Sequence, residues 1–146
     1  MAQQLVATGL NVAKRDGTVR GRVRYVGKPV DVVRLLRDPE ITSTIVLTQG
    51  GAVTFAGALL PKRPAGLITI EGAPESHLGI VSREFSIPAI MSLQLSDGSG
   101  ADRLGVDGLM TDTYVKHVVA TLGDRVVELS CDDEETGKVF LVDDAT

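Results

Sequence analysis

Residues 72–77, Gly72-Ala73-Pro74-Glu75-Ser76-His77, deliver an imidazole from a glycine turn to the head of the run Leu78-Gly79-Ile80-Val81-Ser82-Arg83-Glu84. Pro74 suits a pre-helical turn or a first helical position, and Glu75 or Ser76 can cap the amides that open a helix. His77 then falls in the first turn. The positive end of the helix dipole favours an arriving anion there, so the position suits a nucleophile that takes up a phosphoryl group. Helical spacing puts Ile80, Val81 and Glu84 near the face of His77 and puts Arg83 well off it. Ser76 and His77 do not make a hydrolase pair, because adjacent helical side chains diverge and no Gly-x-Ser-x-Gly elbow is present. The chain has no Walker loop, no Gly-x-Gly-x-x-Gly and no HExxH, which leaves ATP, dinucleotide and zinc sites without support. The second histidine, His117 in Tyr114-Val115-Lys116-His117, reads as a surface or boundary residue of a helix. Cys131 is the single cysteine and reads as a structural thiol.

The elements that must hold this histidine follow from the hydrophobic periodicity. Strands are predicted at 3–8, 19–27, 44–48, 66–70, 88–91, 124–130 and 138–142, and helices at 30–37, 52–60, 76–85 and 113–121. The mixture predicts an α/β sandwich. Leu67-Ile68-Thr69-Ile70 reads as a buried strand whose carboxyl end feeds the glycine turn, a common place for active groups. Asp132-Asp133-Glu134-Glu135-Thr136-Gly137 reads as a solvated turn between two strands, without the ligand spacing of a calcium loop.

The segment resembles the phosphohistidine signature of the mobile, swivelling domain of phosphoenolpyruvate-utilising enzymes, such as pyruvate phosphate dikinase, phosphoenolpyruvate synthase and enzyme I of the sugar phosphotransferase system. Gly72, Ser76, His77, Ile80, Val81, Arg83, Glu84, Ile87, Pro88 and Ala89 match that signature. Gly21-Arg22-Val23, Ile45-Val46-Leu47-Thr48, the stretch Leu122–Leu129 and Gly137-Lys138-Val139-Phe140-Leu141 resemble its other strands, so the likeness runs over roughly residues 17–142. The resemblance implies one swivelling β/β/α sandwich over residues 1–146, with His77 as the phosphoryl carrier. Ser76, Gly72, Glu75 and Arg83 become candidates to contact the phosphate or tune the imidazole. The chain departs from the pattern in five places, one of them Met91-Ser92 where the family usually has Val-Gly. Ala73 replaces the second glycine, and Glu75 adds a negative charge where the dikinases carry a regulatory threonine. Gly50-Gly51 follow the preceding strand, and the Gly/Asp-rich connection over 93–112 is longer than usual.

Composition sets the surroundings. With 146 residues, 43% of them hydrophobic, one small domain has enough material for a core, and a separate ATP-binding module is not expected in the chain. The aromatics are three Phe, two Tyr and no Trp, so Val, Leu, Ile and Ala must fill the core and no base-stacking platform is available. Nucleic acid is not expected as a partner. The opening Met-Ala-Gln-Gln-Leu-Val lacks a basic, apolar leader and no segment has membrane-spanning length, so a soluble, cytoplasmic protein is expected, with no membrane contact. Residues 1–73 carry ten Lys/Arg against five Asp/Glu, and residues 74–146 five against fourteen. Arg20, Arg22 and Arg24 alternate with apolar residues as a half-exposed strand requires; they form either a solvated sheet face or a docking surface for an acidic partner or anion. No metal or cofactor is expected on the chain itself. Magnesium with ATP or phosphoenolpyruvate is expected on a nucleotide-binding, ATP-grasp-like subunit or on a phosphoenolpyruvate- or acceptor-binding one. The alternative is a non-catalytic regulatory or assembly subunit that keeps the swivelling fold.

Overall fold

The computed structural model describes residues 3–50 and 55–142. Seven strands form in chain order: β1 (Gln3–Asn11), β2 (Thr18–Val26), β3 (Thr44–Gly50), β4 (Gly66–Glu71), β5 (Ala89–Leu95), β6 (Val126–Ser130) and β7 (Thr136–Val142). Three α-helices are present among the described residues, α1 (Pro29–Leu36), α2 (His77–Glu84) and α3 (Asp112–Leu122). The helix predicted at 52–60 is a 3-10 segment instead, Phe55–Lys62, and positions 52–54 lie outside the described residues.

The expected β/β/α sandwich is not formed. The seven strands close into a single barrel in the order β1-β5-β4-β3-β2-β6-β7, with β7 returning to β1. Two long strands make the closure. The first half of β2, Thr18 to Arg22, pairs antiparallel with β6, and its second half, Arg22 to Val26, pairs parallel with β3. Likewise β1 pairs with β7 over Gln3 to Leu10 and with β5 over Ala7 to Asn11, with irregularities at Leu5/Ala7 and Thr8/Leu10 that let it bend. Each corner strand thereby fills the edge that a separate sheet would leave open. β5 also runs four residues past its predicted end, because Leu93 and Leu95 continue the inward-facing row.

β2, β3, β4 and β5 are mutually parallel and are wrapped from both sides. Ile45, Leu47, Ile68 and Ile70 point into the barrel, where Tyr114, Val115, Val118 and Leu122 of α3 pack with them. Val46, Leu67, Ala89 and Met91 point outward beneath a second cluster made by Val32 and Leu35 of α1, Ala56, Leu59 and Leu60 of the 3-10 segment, and Leu78 of α2. Burial on both faces is why Ile45-Val46-Leu47-Thr48 and Leu67-Ile68-Thr69-Ile70 read as uninterrupted runs. The buried hydroxyl of Tyr114 donates to Leu93 O (2.8 Å) and accepts from Leu95 N (3.2 Å), which fixes the start of α3 against the carboxyl end of β5.

Candidate functional site

His77 stands at the end of the barrel where the parallel strands present their carboxyl termini. β4 ends at Glu71, whose carboxylate accepts from Gln49 Nε2 of β3 at 2.7 Å and ties the two strand ends together. Gly72 follows at φ 112°, a left-handed value that only glycine adopts without strain. The chain then tightens: Ser76 N donates to Ala73 O at 2.8 Å, and Ser76 leaves the turn in extended geometry, φ −70° and ψ 168°. Ser76 is the N-cap, its Oγ accepting from Gly79 N at 3.4 Å, and His77 is the first residue of α2.

His77 and Glu75 are exposed, and Ser76 is half-buried with its Oγ 3.7 Å from Met91 Sδ on β5. The hydroxyl is therefore committed to the helix cap and the sheet. The imidazole lies over Gly57 of the 3-10 segment: a Cβ at Gly57 would stand 3.8 Å from His77 Nε2 and 3.5 Å from Leu78 Cδ2. Leu78, next in the helix, is buried and roots α2 in the outer core. The absence of a side chain at Gly57 thus leaves space beside Nε2, and His77 is exposed.

Gly79 has a stricter task. A Cβ on it would fall 2.1 Å from Pro74 O and 2.7 Å from Pro74 C, so the turn that presents His77 closes against a helix residue that must lack a side chain. Gly57 and Gly79 both escaped the sequence reading; a glycine at the third position of an otherwise regular helix was the available signal for Gly79. Arg83 does not join the site. It lies six residues on, about 9 Å along the axis, and its Nη1 points to Val12 O at 3.4 Å. Of the five sequence candidates, Gly72, Glu75, Ser76 and His77 share one turn, and Arg83 occupies the far end of the helix.

The remaining titratable features lie apart from that turn. Cys131 is buried, and burial pushes its thiol up to about 11. On α3, His117 Nε2 lies 2.7 Å from Asp97 Oδ2 in an exposed pair. Hydrogen bonds from the Ser99 hydroxyl and backbone amide, then from His117, hold the Asp97 carboxyl down at about 2. On β2, Arg20 pairs with Glu128 at 2.8 Å, Arg24 pairs with Asp124, and Arg22 donates to Asp124 O. Arg20 and Arg24 are thus ion-paired, whereas Arg22 is held by a neutral carbonyl and keeps its charge on that sheet face. Among the described residues no helix is long and apolar enough to cross a membrane.

An exposed imidazole at a capped helix start, following the carboxyl end of a parallel strand, is an arrangement that suits nucleophilic attack and an arriving anion. Residues 41–110, which contain β3, β4, α2 and β5, match the family described as PEP-utilising enzyme, mobile domain. The segment that presents His77 is thus similar to the mobile domain of that family, over just under half of the chain. Over 118 residues the chain is 33% identical to uncharacterized proteins of Mycobacterium tuberculosis and Mycobacterium bovis, covering 80% of this chain and 12% of each relative.

Proposed function

We propose that His77 is a phosphoryl carrier, loaded by an ATP- or phosphoenolpyruvate-using partner and unloaded onto an acceptor held by the same or another partner. The observation that carries this reading is the placement of an exposed imidazole as the first residue of a capped helix. In the loading step an unprotonated ring nitrogen attacks phosphorus, an N–P bond forms, and the P–O bond to the leaving group breaks. The departing diphosphate or enolate oxygen keeps the electron pair. In the unloading step an acceptor oxygen attacks the same phosphorus, the N–P bond breaks, and the electron pair returns to the ring. The chain contributes position and field. The α2 amino terminus favours the phosphoryl charge by about 0.3–1 kcal/mol, and Gly57 leaves room beside the ring. Glu75 works against loading by its charge, so the partner must supply cations that outweigh it. Magnesium and the nucleotide or phosphoenolpyruvate belong to that partner.

The test is intact-mass analysis after incubation with magnesium, ATP or phosphoenolpyruvate and a lysate of the source cells, with His77→Asn in parallel. One acid-labile phosphoryl group on the wild type and none on the variant is the expected result. Absence of the label, with a lysate active on a control phosphohistidine domain, would overturn the carrier reading in favour of an assembly or regulatory subunit.

A further inference from the structure

The connection between β5 and α3 is built as a projecting knob. Leu104 and Met110 form a bridge; Gly105 N donates to Leu109 O (2.8 Å), Thr111 N to Arg103 O (2.8 Å), and Leu109 N to Asp107 Oδ1 (3.0 Å). Its base is pinned by Arg103 Nη1 on Gly100 O (2.7 Å) and by the Asp97–His117 pair. Yet this ordered hairpin shows its apolar side chains to water: Leu104 is 50% exposed, Leu109 67%, and Val106 fully exposed. A backbone held by its own hydrogen bonds does not require apolar residues at its tip, and a patch of this kind marks a contact surface.

Its place and charge indicate what it contacts. β4 and β5 are parallel, so the carboxyl end of β5, from which the connection to the knob leaves, points the same way as the end of β4 that leads to His77. Asp102, Asp107 and Asp112, all exposed, lie within the 103–111 segment or next to its ends in the chain. A protein that holds ATP or phosphoenolpyruvate carries cations to meet the phosphates, and a basic surface continuing from such a site would complement these aspartates. Resting on the carrier reading of His77, we infer that the 103–111 knob docks the phosphoryl-donor partner, with Leu104, Val106 and Leu109 entering an apolar recess and the aspartates meeting its basic rim.

The experiment compares wild type with a Val106→Ser/Leu109→Ser double variant in two reactions: phosphorylation by the donor activity of a source-cell lysate fraction, and direct phosphorylation of histidine by phosphoramidate, which needs no protein partner. The expected result is a roughly tenfold loss of donor-driven rate at low carrier concentration, recovered by raising that concentration, with the phosphoramidate rate within about twofold of wild type. The donor-driven rate of the wild type should also fall with added salt. Equal donor-driven rates for the two proteins overturn the docking role while leaving the carrier reading intact. A parallel loss in both reactions overturns it too, since the variant has then disturbed His77 itself. If the knob instead joins two copies of this chain, sedimentation will show a wild-type oligomer that the variant dissolves without a change in donor-driven rate. A wild type that the active lysate never labels removes the carrier reading and this inference together.

Discussion

Replacing Gly79 with alanine sets two effects against each other. Helix propensity alone would make the variant more stable, by up to about 1 kcal/mol. The structure reverses the sign. The new Cβ would lie 2.1 Å from Pro74 O and 3.0 Å from Pro74 Cα, both backbone atoms of the turn before α2. Ordinary contact needs the carbonyl to withdraw by roughly 1 Å, and nothing at the far end of a flexible side chain can absorb that movement. The withdrawal strains the Ser76 N to Ala73 O bond (2.8 Å) and the Ser76 cap on Gly79 N. Overpacking costs about 1–3 kcal/mol and loss of a cap about 1 kcal/mol. Net of the propensity gain, Gly79→Ala should destabilise the fold by about 2 kcal/mol, read as a lower urea midpoint at unchanged slope. It should also lower the phosphoramidate labelling of His77, because the displaced turn is the one that aims the ring. Gly57→Ala is the control: its Cβ meets only ordinary contacts at 3.5 and 3.8 Å, so stability should stay within about 0.5 kcal/mol. A Gly79→Ala protein with an equal or higher midpoint and normal labelling would refute the argument that the Pro74 carbonyl reserves this position for glycine.

Tyr114→Phe should lose about 1–2 kcal/mol, because it strands the Leu93 carbonyl and the Leu95 amide in a buried site; chemical denaturation measures it, and an unchanged midpoint would mean that water replaces the hydroxyl. Cys131, buried with its thiol raised to about 11, should resist an aromatic disulfide reagent at pH 8 until denaturant opens the barrel, and rapid labelling of the native protein would contradict its burial. Asp97 has its folded value depressed to about 2, so its contribution to stability is complete above the ordinary value near 4 and is lost as pH falls from there through about 2. Denaturation of wild type and Asp97→Asn across pH 2–6 should therefore show a difference that closes toward pH 2, and a difference independent of pH would assign the effect to something other than that carboxylate.

Local order was legible because its causes are local. The serine cap on α2 and the apolar runs at β3 and β4 each act within a few residues, and those elements stand close to where the sequence pattern puts them. The turn holding Gly72, Glu75, Ser76 and His77 was legible for the same reason. Helical spacing also set Arg83 off the His77 face, and the structure sends it to Val12 O. What the residues do not announce is long-range pairing. That Arg22 has Thr44 on one side and Val126 on the other is a matter of register across the whole chain, and this double pairing replaces a sandwich with a barrel. The approach of Gly57 to the imidazole depends on stacking the 3-10 segment beside α2, again a contact between distant stretches. Leu93 and Leu95 were hidden by their Gly/Asp-rich continuation, although their alternation with Ser92 and Gln94 is that of a strand.

The way α2 is held constrains how a phosphoryl group on His77 would travel. At its start the helix is locked by the Ser76 cap and by the Pro74 carbonyl against Gly79. Midway, Ser82 Oγ donates to Gly79 O at 2.8 Å, and Leu78 is sealed in the outer core. At its end Ile87 N donates to Ser82 O at 2.9 Å and Arg83 reaches Val12 O. An eight-residue helix fastened at the start, middle and end has no hinge of its own. The barrel beneath it is closed, with no free sheet edge along which strands could slide. Transfer between two sites therefore cannot rely on a swinging loop within the described residues. On the carrier reading, a phosphoryl group on His77 would travel with the whole barrel as one body, and the contacts that set its passage between sites would lie on the barrel surface rather than in a swinging helix.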